Sequence, residues 1–189
     1  MYQSILNSDI HLRRLEIADA EPMLEWLKNP DIYEKMQYDP DGQNLEKCRE
    51  FIQDSWLDDE NYHYAVVNGK DEYLGTVSLK NVDVQNQTAE LGIVIHPKAS
   101  GLGVGSEALR KIMEKAFEEL LLNKVYLYVR VDNEKAVNFY KRNRMECEGC
   151  FKEHLCIRGV YKDILWFSLR RTEYVNWKYK VTKNNVCGG

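Results

Sequence analysis

Residues 90–109, ELGIVIHPKASGLGVGSEAL, constrain the fold more than any other stretch of this chain. An apolar, β-branched run ends near Pro97, Gly101, Gly103 and Gly105 alternate, and an amphipathic run begins. That order predicts a strand, a glycine-rich turn and the start of a helix. Few side chains in such a turn can keep a ligand from the backbone N–H groups. The first N–H groups of a helix have no partner within it, and the helix dipole adds partial positive charge there. A phosphate or pyrophosphate suits the site.

Around this turn the sequence alternates α and β signals. A short strand is expected over 11–15 and a helix over 20–27, with Asp19 as its N-cap and Asn29-Pro30 closing it. The polar stretch 31–43 ends in a turn at Pro40-Asp41-Gly42, and a second helix is expected over 45–56. Strands follow at 62–67 and 73–82, joined by the hairpin signal Asn68-Gly69, and at 88–95. A long amphipathic helix over 103–121 carries Leu109, Ile112, Met113, Phe117 and Leu120 at core spacing. A strand at 125–131, a short helix at 134–142 and two strands at 145–156 and 160–169 complete the pattern, and 181–189 reads as a frayed tail. Residues 88–131 then form a βαβ unit with parallel strands, whose ligand site lies at the carboxyl ends of the strands. The glycine turn and the segment 133–140 are expected to face the same crevice.

With 189 residues, one domain over 1–180 is expected, and 44% hydrophobic residues supply a core. The net charge of −4 gives no support to general nucleic-acid binding. No apolar run approaches a membrane span, and the first nine residues lack a signal-peptide pattern, so a cytoplasmic protein without membrane contact is expected. Five scattered cysteines, Cys48, Cys147, Cys150, Cys156 and Cys187, read as free thiols. Cys147 and Cys150 have the C-x-x-C spacing, but three residues apart on a strand they point to opposite faces. No set of four metal ligands is evident, and no metal is expected.

Three phosphate sites compete for the turn. A P-loop requires Gly-Lys-Ser/Thr, and Gly105-Ser106-Glu107 lacks the lysine. A dinucleotide site would use Asp132 on a ribose, but it wants glycine at Ser106 and a unit that opens the fold. The third reading covers more of the chain. Ser100-Gly101-Leu102-Gly103-Val104-Gly105 aligns with the pyrophosphate loop of the GNAT superfamily of acyl-CoA N-acyltransferases. Asn133-Glu134-Lys135-Ala136-Val137-Asn138-Phe139-Tyr140, running on to Arg144-Met145, aligns with that family's second signature. The chain resembles the branch holding ribosomal-protein, spermidine and amino-sugar acetyltransferases, over about residues 10–174. The resemblance implies an α/β (α+β) fold with a central mixed, mostly antiparallel sheet, one parallel βαβ unit and flanking helices. Two departures stand out. Ser100 occupies the place of the family's Gln or Arg, and Arg144-Met145 that of its Gly-Phe, where glycine permits a positive φ.

The resemblance also implies residue roles. Acetyl-CoA is the co-substrate, with its pyrophosphate on the N–H groups from Gly101 to Ser106. Its pantetheine arm pairs alongside Ile93, Val94 and Ile95, and an N–H of this strand holds the oxyanion. Asn133 contacts the arm as well as capping the helix that carries Ala136, Phe139 and Tyr140. Tyr140 protonates the departing thiolate, and Glu90 acts as base through a water. His96 and His154 are weaker base candidates. Direct attack by a primary amine in a ternary complex needs no covalent intermediate. The acceptor is left among polyamines or small amines, amino sugars and protein N-termini, with 151–169 closest to the amino-sugar group. Asp31, Glu34, Asp39 and Asp41 offer charge for a cationic amine. Tyr126 and Tyr128 read as core or sheet packing, and 58–60 as a solvated acidic loop. A homodimer through the C-terminal strands belongs to the same set of expectations. The alternative reading is an acyl-CoA-binding protein without turnover.

Overall fold

The computed structural model describes residues 9–36 and 38–186, with side chains as far as Lys178. The strands are β1 (His11–Arg14), β2 (Tyr62–Val67), β3 (Tyr73–Asp83), β4 (Thr88–Ile95), β5 (Lys124–Arg130), β6 (Glu146–Ile157) and β7 (Val160–Arg170). They form one seven-stranded sheet in the order β1-β2-β3-β4-β5-β7-β6. The β4–β5 ladder is parallel, pairing Thr88 with Lys124 and Glu90 with Tyr126. The pairs β1–β2, β2–β3, β5–β7 and β6–β7 are antiparallel. The expected mixed sheet with one βαβ unit is therefore present. The chain divides into two compact units, Met1–Val82 with Leu91–Met113, and Asp83–Glu90 with Glu114–Gly189.

In the first unit, α1 (Ala20–Leu27) and α3 (Leu45–Asp54) bury Met23, Trp26, Cys48 and Ile52 against Ala65, Val67 and Tyr73. The Trp26 indole donates to the Tyr73 hydroxyl at 3.0 Å, and that hydroxyl lies 2.6 Å from Thr76 Oγ1, so the aromatic core has its polar atoms paired. Asp19 does not cap α1. Its carboxylate accepts both terminal nitrogens of Arg13, at 2.7 and 2.9 Å, and the Glu16 N–H at 2.8 Å. The favourable pairing of a buried carboxylate with a guanidinium outcompetes the cap. Asn29 caps a further short helix, α2 (Pro30–Tyr33), by accepting the Asp31 N–H at 2.9 Å. The hairpin after β2 is longer than Asn68-Gly69 suggests. Val67 pairs with Tyr73, Asn68 Oδ1 accepts from Lys70 and Glu72 N–H, and the positive φ falls on Asp71.

Gly75 lets β3 approach β4. A Cβ there would lie 2.3 Å from the Val94 carbonyl oxygen. Beyond β4, a 3-10 turn over Pro97–Ala99 leads into the glycine segment and α4 (Val104–Glu114). Val104, Ala108, Leu109, Ile112 and Met113 of α4 are buried. The long helix expected over 103–121 is not uniform: Lys115–Glu119 form a π-helical turn.

In the second unit, Val125, Leu127 and Val129 of β5 are buried, while Tyr126 and Tyr128 alternate to the other face. Helix α5 (Glu134–Arg142) buries Val137 and Tyr140. A helix the sequence pattern did not reveal, α6 (Arg171–Val186), follows β7. It packs Tyr174 on Phe117 with centroids 4.8 Å apart, and the Trp177 indole donates to the Asn143 carbonyl at 2.6 Å. The Arg171 guanidinium donates to the carbonyls of Phe117 and Leu122, each at 2.8 Å, so the end of the π turn is capped. Of the expected tail, 181–186 continue α6 and 187–189 lie outside the described residues.

Helix α5 ends on Arg144, which stands in the family's glycine place and takes the left-handed conformation that glycine permits. Arg144 has φ 59°, its N–H donates to the Lys141 carbonyl at 3.0 Å, and the Met145 N–H donates to the Tyr140 carbonyl at 3.1 Å. This pair of bonds is a Schellman ending. An L residue held left-handed costs on the order of 1 kcal/mol. Arg144→Gly is expected to raise stability by about that amount, seen as a higher Tm. An unchanged or lower Tm would show that the exposed arginine carries no strain.

Candidate functional site

In the first unit, the turn that drew attention in the sequence is built as an open backbone cradle. Gly101 and Gly103 both have φ of 82°, and a Cβ at Gly101 would meet no atom within 4 Å. Ser100, exposed and extended at φ −69° and ψ 136°, enters the cradle. The Gly103 carbonyl accepts from Ser106 N–H at 3.1 Å and Glu107 N–H at 3.2 Å. Val104 and Gly105, in the first turn of α4, have no acceptor available within the helix. The Ser106 N–H is thus already engaged, and the anion-binding capacity moves to the residues before it. Val104 is fully buried and Leu102 half-buried, anchoring the two ends of the segment. Positive φ, open space and a helix start fit a pyrophosphate.

Strand β4 delivers the chain to that cradle. The His96 N–H donates to the Leu74 carbonyl at 2.8 Å, on the β3 side. Because backbone polar groups alternate along a strand, the N–H groups of Ile95 and Ile93 point to the opposite edge, and that of Val94 toward β3. His96 is not a free base. Its Nδ1 accepts the Lys98 N–H at 3.3 Å and its Nε2 lies 2.9 Å from Glu25 Oε2. Both ring nitrogens are engaged in fixing the turn after β4.

The second unit holds the other sequence candidates. Asn133 caps α5, its Oδ1 accepting the Ala136 N–H at 3.3 Å, which leaves the side-chain NH2 to donate elsewhere. Phe139 and Tyr140 are edge-on at 5.2 Å, and Tyr140 lies 5.8 Å from Phe167. Burial pushes the Tyr140 phenol well above its ordinary value, so it carries its proton at any physiological pH. Glu90 is half-buried and sits opposite Tyr126 in the parallel ladder.

Of the two expected settings, core or sheet packing, Tyr126 and Tyr128 take the second, packing across the sheet surface on a neighbouring strand. Tyr126 stacks on Trp166 with centroids 4.7 Å apart and planes 11° apart, and Tyr128 lies 6.3 Å from the same indole. Burial, with Glu90 and Asp83 nearby, raises the Tyr126 phenol. Phe151, 5.8 Å from Trp166, extends the aromatic surface. Phe151 and Trp166 line a cavity of about 400 Å³ with Glu148, Gly149 and Cys150. Glu148 is bound to Lys124 Nζ at 2.7 Å and to Ser168 Oγ at 2.7 Å, which holds its carboxyl below the usual range. His154 is exposed and 5.5 Å from Phe151.

The β6 register corrects the argument about Cys147 and Cys150. A bulge between Cys147 and Gly149 sets them opposite Phe167 and Leu165, two positions apart on β7, so they share a face. Both are free and exposed. Among the described residues no group of three His, Cys, Asp or Glu side chains is placed to hold a metal ion, and no helix is long and apolar enough to cross a membrane.

One pair escaped the sequence reading. His63 of β2 and Ser78 of β3 face each other in register, with Nδ1 and Oγ 2.7 Å apart. The only sequence signal was a histidine and a serine inside two apolar strands, and the pairing that joins them requires the hairpin register.

The model of the acetyltransferase (GNAT) domain matches residues 9–146. The chain is 31% identical over 183 residues to a Bacillus subtilis protein named "Putative ribosomal N-acetyltransferase YdaF", covering 92% of this chain and 98% of that one. It is 26% identical to the spermidine N(1)-acetyltransferase of Vibrio cholerae, covering 90% and 98%. A crystal structure of spermidine N-acetyltransferase from Vibrio cholerae in complex with CoA and spermine superposes with a TM-score of 0.82 at 26% identity, over 90% of this chain and all of that one.

Proposed function

Because the chain belongs to the GNAT acetyltransferase family, and so transfers the acetyl group of acetyl-CoA to an amine, we propose that its acceptor is an aliphatic polyamine. The observation that carries this reading is the Tyr126–Trp166–Tyr128 stack with Glu90 in register beside it. Aromatic faces attract organic cations, and a neighbouring carboxylate adds to that attraction. The relative crystallised with spermine supports the same class.

The open backbone of the glycine turn supports a pyrophosphate-bearing co-substrate there. Its pyrophosphate is held by N–H groups of Gly101, Leu102, Gly103, Val104 and Gly105 and by the hydroxyls of Ser100 and Ser106. Its pantetheine arm runs along Ile93, Val94 and Ile95, with the N–H groups of Ile93 and Ile95 free in direction to meet the arm and the oxyanion. The Asn133 amide donates to the arm, and Ala136 and Phe139 flank it. Glu90, through a water, takes a proton from the incoming ammonium. The amine attacks the thioester directly in a ternary complex. Tyr140, a phenol that holds its proton, gives it to the departing thiolate.

The whole of 1–180 acts as one transferase domain in this reading. Two copies pair through β6 and β7, where β6 is an edge strand exposed along most of its length. The co-substrate is a metabolite of the cytoplasm, which supports action there.

The test is release of free thiol from acetyl-CoA in the presence of spermidine, spermine, glucosamine, a nucleotide-linked amino sugar and a peptide with a free N-terminus. The proposal expects the highest kcat/KM with a polyamine. A preference for the amino sugars or the peptide would reassign the acceptor. Binding of acetyl-CoA without thiol release in every arm would leave a binding protein.

A further inference from the structure

We propose that Cys147 and Cys150 of β6 are a thiol-modification site. The pair closes to a disulfide by exchange with a low-molecular-weight disulfide such as oxidised glutathione, and opens again in excess thiol. The inference stands apart from the transferase reading, because the bridge forms or fails whether or not an amine is acetylated.

The geometry lies within the second unit, on one strand. In an unbulged strand, residues three apart are about 10 Å apart and point to opposite faces. The β6 bulge removes both obstacles. Cys147 stands opposite Phe167 and Cys150 opposite Leu165. Those two β7 residues are about 6.6 Å apart along their strand and face the same side. That interval falls within the roughly 4.4–6.8 Å of Cα separation over which a disulfide closes. Both thiols are free and exposed. The Cys147 thiol makes a weak 3.9 Å bond to the Gly149 carbonyl, which turns it along the strand toward Cys150. At Gly149, a Cβ would meet no atom within 4 Å, so the backbone between the two thiols is free to adjust. The Lys152 ammonium is bound to Asp163 Oδ2 at 2.8 Å, and its pKa is raised chiefly by that bond and further by the nearby Cys150. A cation therefore stands beside the Cys150 sulfur during exchange. Cys156, also exposed, is opposite Tyr161, four β7 residues from Leu165. That is about 13 Å, beyond the reach of a bridge.

The exchange balances in two steps. The Cys150 thiol gives up its proton, and its sulfur attacks one sulfur of the reagent disulfide. The reagent S–S bond breaks, and the departing thiolate takes a proton. Cys147 then loses its proton and attacks the Cys150 sulfur. The mixed disulfide breaks, and a second reagent thiolate leaves and is protonated. The two cysteines lose two electrons, and the reagent disulfide gains them as two thiols. A bridge spanning three residues at the surface holds no other part of the fold in place, so its state follows the surrounding redox poise.

The experiment treats the folded protein with oxidised glutathione, quenches with an alkylating agent, and maps tryptic peptides by mass. Residues 145–152, MECEGCFK, form one tryptic peptide with both cysteines and no other, and 153–158, EHLCIR, carries Cys156 alone. Peptide 145–152 is expected unalkylated and about two mass units lighter than the dithiol, for the two hydrogens lost. Cys156, a thiol without a partner in reach, is expected to hold one glutathione. In Cys147→Ser, Cys150 is expected to keep glutathione as a mixed disulfide, because the second thiol is gone. An excess of reduced glutathione is expected to return wild type to the dithiol. Two glutathiones on peptide 145–152 would overturn the proposal, as would an intact dithiol there once Cys156 has reacted. A bridge from either cysteine to a different peptide, or one that survives excess reduced glutathione, would overturn it too.

Discussion

Tyr140→Phe is expected to lower kcat about 100-fold at neutral pH while leaving KM for acetyl-CoA within a factor of about two of wild type. The phenol is buried against Phe139 and Phe167, and phenylalanine fits the same space. What is lost is one proton donor. The effect has a pH signature. A thiolate leaves unaided once the pH exceeds the thiol pKa of about 8.5, so the deficit should shrink above that value. Burial holds the wild-type phenol protonated well past this point, so wild type should show no matching change. A variant with wild-type kcat across the range would remove Tyr140 from the chemistry. A fall in Tm together with a uniform fall in kcat at every pH would assign it to packing.

Gly75→Ala is expected to cost about 3 kcal/mol of stability. The added Cβ would lie 2.3 Å from the Val94 carbonyl oxygen and 3.0 Å from Ile95 Cα, both backbone atoms. No rotamer change relieves such a contact, and β3 or β4 must move. Gly75 also has φ 156°, at the edge of the range that disfavours side chains. Because Val94 and Ile95 belong to the strand assigned to the pantetheine arm, the surviving folded fraction should show a raised KM for acetyl-CoA. Urea denaturation checks the stability: a midpoint shift with unchanged m is expected. A midpoint equal to that of wild type would show that the two strands separate at little cost.

Much of the fold was legible because local signals and tertiary need agreed. The strand, glycine turn and helix over 88–114 appear as read, since alternating glycines admit positive φ and Val104, Leu109, Ile112 and Met113 share one apolar face. The Asn133 cap and the buried Tyr140 follow from spacing along one short helix. What was not legible depended on partners distant in sequence. Asp19 looked like a cap because the Arg13 clamp is invisible to a local pattern. The sheet packing expected of Tyr126 and Tyr128 is present, but its partner, Trp166, is set beside them only by the β5–β7 register. The parity argument separating Cys147 from Cys150 failed because one extra residue in a bulge resets the alternation. Helix α6 showed no apolar periodicity, and it is held by Tyr174, Trp177 and Arg171 rather than by an amphipathic stripe. His63 and Ser78 became a pair only through strand register.

The central claim is direct transfer of acetyl from CoA to an amine with no acetylated protein between them. Incubation of the protein with acetyl-CoA alone, then with polyamine, followed by mass spectrometry of protein and products, tests it most directly. The account predicts an unmodified protein and intact acetyl-CoA before the amine is added. It then predicts one N-acetylated amine for each free thiol. Free thiol before the amine, or an acetyl group on the protein, would contradict it.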